Sequence, residues 1–160
     1  MIRIKRILCP VDFIPASDKA AHYAVGLAAD YGAKIHLVHV ITPVLPMAFE
    51  YLANAGDLFT SMEEGSRDQM KKLVKKLMKR GVEVTSEVLT GDVHQVIGRV
   101  ISTLKPDLVV MGSHARSAVE RFFMGSVAEW LMRHSPVPVL VISEKQKILT
   151  GKRRPAKRAA

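Results

Sequence analysis

The stretch DLVVMGSHARSAVERFFMGSVAEWLMRHSPVPVLVI, residues 107–142, decides the fold. It opens on a β-branched apolar run, DLVVMG, 107–112, and closes on another, VPVLVI, 137–142. Between them, from about 125 to 134, Val127, Trp130, Leu131 and His134 recur at helical spacing on one stripe. A strand, a helix and a strand in that order form a unit of a parallel sheet. Two Gly-Ser pairs, Gly112-Ser113 and Gly125-Ser126, bracket a loop that carries His114, Arg116 and Arg121.

The same alternation runs back to the start of the chain. Strand-like runs are KRILCPV, 5–11; KIHLVHV, 34–40; and VEVTSEVL, 82–89. The first is followed by a helix over about 16–31, with Ala20, Ala24, Leu27, Ala28 and Tyr31 on one face and Gly32 as its stop. A second helix is predicted over about 62–80. Met70, Leu73, Val74, Leu77 and Met78 are buried in it, and Lys71, Lys72, Lys75, Lys76 and Lys79 form a solvated face. Gly91-Asp92 opens a third, where Asp92 and Gln95 have the spacing of a capping box and Lys105-Pro106 ends the helix. Residues 41–60, with two prolines, fit neither period and read as an excursion with some local helix. The fold class is α/β: a single domain built on an open five-stranded parallel sheet with helices on both faces.

Lys and Arg exceed Asp and Glu by a formal +9, but residues 143–160 hold seven basic residues against one acidic. The charge therefore belongs to a tail, read as disordered, rather than to a basic domain face. Cys9 is the sole cysteine, so a disulfide within the chain and a thiolate metal cluster are excluded. In ILCPV it reads as a buried, inert thiol. The N-terminal apolar run is too short for a signal sequence, and no segment reaches the ~20 apolar residues of a membrane span. A cytoplasmic protein is expected.

In an open parallel sheet, ligands bind beyond the carboxyl ends of the strands where the strand order reverses. Two such ends carry unusual chemistry: Pro10-Val11-Asp12 and Met111-Gly112-Ser113-His114. A Gly-Ser pair at a helix start offers backbone N–H groups, a hydroxyl and the positive helix end to an anion. Asp12 suits a ribose hydroxyl or a Mg²⁺ ion shared with phosphates. The glycines also suit ordinary turns and caps, and their spacing alone leaves both readings open.

ILCPVDF, HLVHV and MGSHARS…MGSVAEWLMRHSPVPVLVI resemble the universal stress protein family over residues 3–143, with the tail of 144–160 outside. The resemblance implies a Rossmann-like fold of the adenine nucleotide alpha hydrolase type. It also implies ATP binding in one branch of the family, whose motif is glycine, two residues, glycine, nine residues, glycine and Ser/Thr. Gly112 matches the first glycine and Gly125-Ser126 the last pair, while Ala115 departs from the middle one. By the same resemblance Pro10, Val11, Asp12 and Val40 line the adenine and ribose side and Met111 lies against the base. His114, Ala115, Arg116, Gly125, Ser126 and Val127 lie along the phosphates.

No P-loop, GxSxG or HExxH motif is present. His36 and His39 fall on opposite faces of a strand, and His22, His94 and His134 fall on helices, so none pairs as a metal ligand. The reading is a binding or signalling module using ATP or another adenine nucleotide, with Mg²⁺ held at Asp12. The alternatives are a homodimer that works through protein partners without nucleotide, and a slow ATPase. Self-association is expected through 137–142, an apolar edge strand, and the resemblance implies the same. Nucleic acid or anionic lipid would be reached only through the tail, whose simpler role is solubility.

Overall fold

A computed structural model describes residues 3–43, 55–78, 81–113, 125–145 and 147. The order of elements is β1 (Arg6–Pro10), α1 (Pro15–Tyr31), β2 (Lys34–Ile41), α2 (Ala55–Met78), β3 (Val84–Thr90), α3 (Val93–Leu104), β4 (Leu108–Gly112), α4 (Ser126–His134) and β5 (Val139–Ile142). The strands form one parallel sheet in the order β3-β2-β1-β4-β5. The expected α/β fold is the observed one.

Alternation along the strands feeds two cores. Ile7, Cys9, Ile35 and Leu37 pack with α1 and α2 on one face. Leu8, Val38, Val109 and Met111 pack with α3 and α4 on the other. The α1 stripe is mostly alanine, so that helix lies close to the sheet. Cys9 is buried in the first core, and burial pushes its thiol up to about 12, so it stays protonated at neutral pH.

Some boundaries differ from those read in the sequence. α2 starts at Ala55, inside the stretch read as irregular. Its first half is largely exposed, so it carries no apolar period to read; residues 44–54 lie outside the described residues. Tyr31 and Met78, expected on buried faces, are 51% and 54% exposed. Both close their helices, which carry them out of the core. His134, expected on the α4 stripe, is exposed, and Ala128 and Leu131 are the buried residues there. Its ring stacks on Trp130 with centroids 5.1 Å apart. β5 begins at Val139 because Pro138 has no N–H, although its carbonyl still accepts from Val109 at 3.0 Å.

The seam between β1 and β4 positions the site. β1 and β2 pair over five residues, but β1 and β4 pair only at Ile7–Leu108 and Leu8–Val109. Asp107 clasps the lower end: its carboxylate accepts the Lys5 and Arg6 amides at 2.8 and 2.9 Å. Those amides, followed by nearby positive charge, hold its pKa below the usual carboxylate range. The upper end has no such tie. The Val11 amide points to β2, donating to Val38, and the Arg6 amide points to the β4 side. With a period of two, the β4-facing amides after Arg6 fall on Leu8 and then on Pro10, which has none. The ladder stops there, and the strand ends part.

Candidate functional site

A cleft opens where β1 and β4 part, at the point where strand order reverses. Its floor and walls include Pro10 at the end of β1, Val11 and Asp12 after it, Val38, His39 and Val40 of β2, and Met111 and Gly112 of β4. Ser17 of α1, Val93 and Ile97 of α3, and Val127 and Ala128 of α4 complete it. Its volume is about 120 Å³ among the described residues, below the ~300 Å³ at which small-molecule pockets usually begin. The lining is mostly apolar, with Asp12, Ser17 and His39 as its polar side chains.

The turn after β1 is tied internally. The Val11 N–H donates to the Val38 carbonyl at 2.9 Å. The Val11 carbonyl lies 2.8 Å from His39 Nδ1. Ser17 Oγ accepts the Asp12 N–H at 3.3 Å and donates to the Ile14 carbonyl at 3.1 Å. Asp12 Oδ1 accepts the Ile14 N–H at 3.3 Å, an Asx turn that leads into α1. Phe13 sits between them at φ 63°, a left-handed geometry unusual for a bulky residue.

Gly112 meets a different demand from the one its position in a ligand loop suggests. A Cβ there would lie 2.6 Å from the Ala16 carbonyl carbon and from the Ser17 amide nitrogen. The glycine lets the end of β4 touch the first turn of α1, so it is needed by the fold before any ligand arrives.

Three helix starts face the cleft, and they differ. α3 is capped by its own side chain: Asp92 accepts the Gln95 amide at 2.9 Å. α1 follows Ile14, which offers no side-chain cap; it begins with Pro15, which has no N–H, and its next residues are packed against Gly112. α4 begins at Gly125 with φ 85° and has no side-chain cap. Its first intrahelical bond is Glu129 N–H to Gly125 C=O. The amides of Ser126, Val127 and Ala128 have no acceptor among the described residues and carry the positive end of the helix.

The family profile described as "Universal stress protein family" matches residues 3–143. The chain belongs to the universal stress protein family. The chain is 29% identical over 144 residues to the universal stress protein MJ0531 of Methanocaldococcus jannaschii, covering 89% of this chain and 84% of that one. Its fold is similar to that of the universal stress protein UspA of Lactobacillus plantarum, with TM-score 0.76 at 22% identity over 88% of this chain and 98% of that one. It is also similar to the Archaeoglobus fulgidus universal stress protein solved in complex with dAMP. That likeness has TM-score 0.60 at 19% identity and covers 89% of this chain and 99% of that one.

In this universal stress protein, seven of the residues expected at a nucleotide site come together around the cleft: Pro10, Val11, Asp12, Val40, Met111, Gly112 and Val127. Gly125 and Ser126 stand beside it at the start of α4. His114, Ala115 and Arg116 lie outside the described residues. Sequence reasoning missed Ser17, Val38, His39, Val93, Ile97 and Ala128. Ser17 was within reach, since it stands one turn into the helix that follows Asp12. In the sequence His39 stands out only as a candidate metal ligand. Among the described residues no group of three or more His, Cys, Asp or Glu could hold a metal ion. No helix there is long and apolar enough to cross a membrane.

Proposed function

We propose that this universal stress protein is an ATP-binding stress-response module that holds an adenine nucleotide in the β1–β4 cleft. The observation that carries the reading is the start of α4 beside the cleft, where Gly125 offers no side-chain cap and the Ser126, Val127 and Ala128 amides have no acceptor among the described residues. An anionic group from outside the chain supplies the missing cap. The Archaeoglobus fulgidus relative in complex with dAMP supports an adenine nucleotide as that ligand.

Val11, Val40 and Met111 offer an apolar floor to the base. Asp12, exposed at the rim, offers a carboxylate to ribose hydroxyls or to Mg²⁺. Gly125, Ser126 and Val127 offer amides to phosphate oxygens, with His114, Ala115 and Arg116 following Gly112 and Ser113 in sequence. When bound, Mg²⁺ would neutralise phosphate charge. Among the described residues the cleft's titratable side chains are Asp12 and His39, both already engaged in the turn after β1, and the reading is of a binding module with at most slow hydrolysis. The protein acts in the cytoplasm as a homodimer. β5 stands at the sheet edge with Val139, Leu140 and Val141 only half-buried, and a second copy would cover it.

Two measurements test the reading. Nucleotide released from the denatured protein is identified by absorbance and mass, and Mg-ATP is titrated into the emptied protein by calorimetry. Bound adenine nucleotide or a saturable ATP isotherm is expected; the absence of both contradicts the reading. The small cleft and Ala115 favour a second reading, a homodimer that works through protein partners without nucleotide. That double absence would select it.

A further inference from the structure

We infer that His39 is a positioning residue for this cleft: its ring holds the turn that presents Asp12. The inference rests on the nucleotide reading only for its affinity arm.

The His39 Nδ1 lies 2.8 Å from the Val11 carbonyl oxygen. A carbonyl only accepts, so the proton of this bond sits on Nδ1. The same proton is present in the neutral and the cationic ring, and the bond survives either state. The ring is fixed a second time by Phe13, whose centroid lies 4.4 Å away at 39°. Phe13 in turn packs against the α1–α2 core.

The turn needs such a hold. Phe13 is at φ 63°, and a bulky residue stays in that region only where its surroundings over-determine it. The bonds from Asp12 N–H to Ser17, from Ile14 N–H to Asp12 and from Ser17 to the Ile14 carbonyl close the turn on itself. Two bonds also fasten the turn to β2. One is backbone, from the Val11 N–H to Val38. The other comes from a side chain, His39 to the Val11 carbonyl. His39 borders the cleft, yet its ring is committed to Val11 and Phe13. It acts on a ligand through Asp12 rather than by touching it. His36, three residues earlier on the same strand, is instead bound across to Thr85 and Glu87 of β3 at 2.9 Å each. It takes no part in the turn and serves as a control.

The test compares His39→Asn with His39→Leu, with His36→Gln as the control. The asparagine amide nitrogen can replace Nδ1 as a donor; leucine cannot. Amide hydrogen exchange at Asp12 and Ile14 is followed by NMR without nucleotide, and ATP affinity is measured by calorimetry. In His39→Leu, exchange at these amides should rise about tenfold and ATP affinity should fall about tenfold, the size of one lost hydrogen bond. Exchange at Val109 and Val110 should not change. His39→Asn should recover most of both losses, and His36→Gln should match the wild type. Wild-type behaviour in His39→Leu, or no recovery in His39→Asn, overturns the inference. Should the leucine variant fail to fold, ¹⁵N NMR of the unmodified protein decides: a neutral His39 protonated on Nε2 overturns it, and one protonated on Nδ1 supports it. If the wild type binds no ATP but the exchange pattern holds, the nucleotide reading falls and the clamp stands.

Discussion

The two turns that face each other across the cleft are built on opposite plans. After β1, the hydrogen-bonding groups of Val11, Asp12 and Ile14 are answered from within the chain, by Val38, His39, Ser17 and Asp12 itself. At the start of α4 the cap is Gly125, which has no side chain to offer, and the first amides point outward. The β1 turn is complete on folding; the proposed nucleotide would complete the α4 start. On the proposed reading, the β1 side is a preformed rest and the α4 side is where an anion gains most.

The largest expected effect tests whether β4 belongs to the closed side. Gly112→Ala should destabilise the protein by about 2–3 kcal/mol, because the new methyl meets α1 backbone that cannot turn aside. Chemical denaturation measures this. Unchanged stability would mean that β4 and α1 do not approach as described, and Gly112 would return to being a ligand glycine.

Gly125→Val probes the open side. At φ 85° a β-branched residue is strained, which should cost about 1–2 kcal/mol of stability. Its side chain also crowds the exposed amides, so ATP affinity should fall by at least about tenfold, which is ~1.4 kcal/mol. Affinity equal to the wild type would remove the phosphate from α4.

Asp107→Asn, at the far end of the same seam, is the smallest change and the control. The carboxylate's pKa is held down by the Lys5 and Arg6 amides, so its ionised form favours the folded state. That contribution is present above the unfolded carboxylate value of ~3.9 and is lost as pH falls through the lower folded value. Near pH 7 the variant should be slightly less stable, by a few tenths of a kcal/mol for so exposed a group. The gap should close in acid, and ATP affinity should not move. A gap that widened in acid would reverse the sign of the account.

The fold was legible because its signals are local and repeated. β-branched runs alternate with apolar helical stripes, and Gly32, Asp92 and Pro106 punctuate them. The first half of α2 was not legible, because it is exposed and has no stripe. The site was legible at the strand ends, where Asp12 and Gly112 are chemically conspicuous. It was illegible where a residue works through space: Ser17 and His39 matter because of what β1 brings beside them. Gly112 was legible as a glycine that something must approach, but only packing identified that neighbour as α1.

The central claim is that the open start of α4 receives the phosphates. Backbone amide NMR shifts of Ser126, Val127 and Ala128, recorded with ATP and again with adenosine, test it most directly. ATP should shift all three strongly, and adenosine should perturb Val11 and Val40 while leaving α4 nearly unchanged. Equal shifts at α4 from both ligands, or none from ATP at saturation, would contradict it.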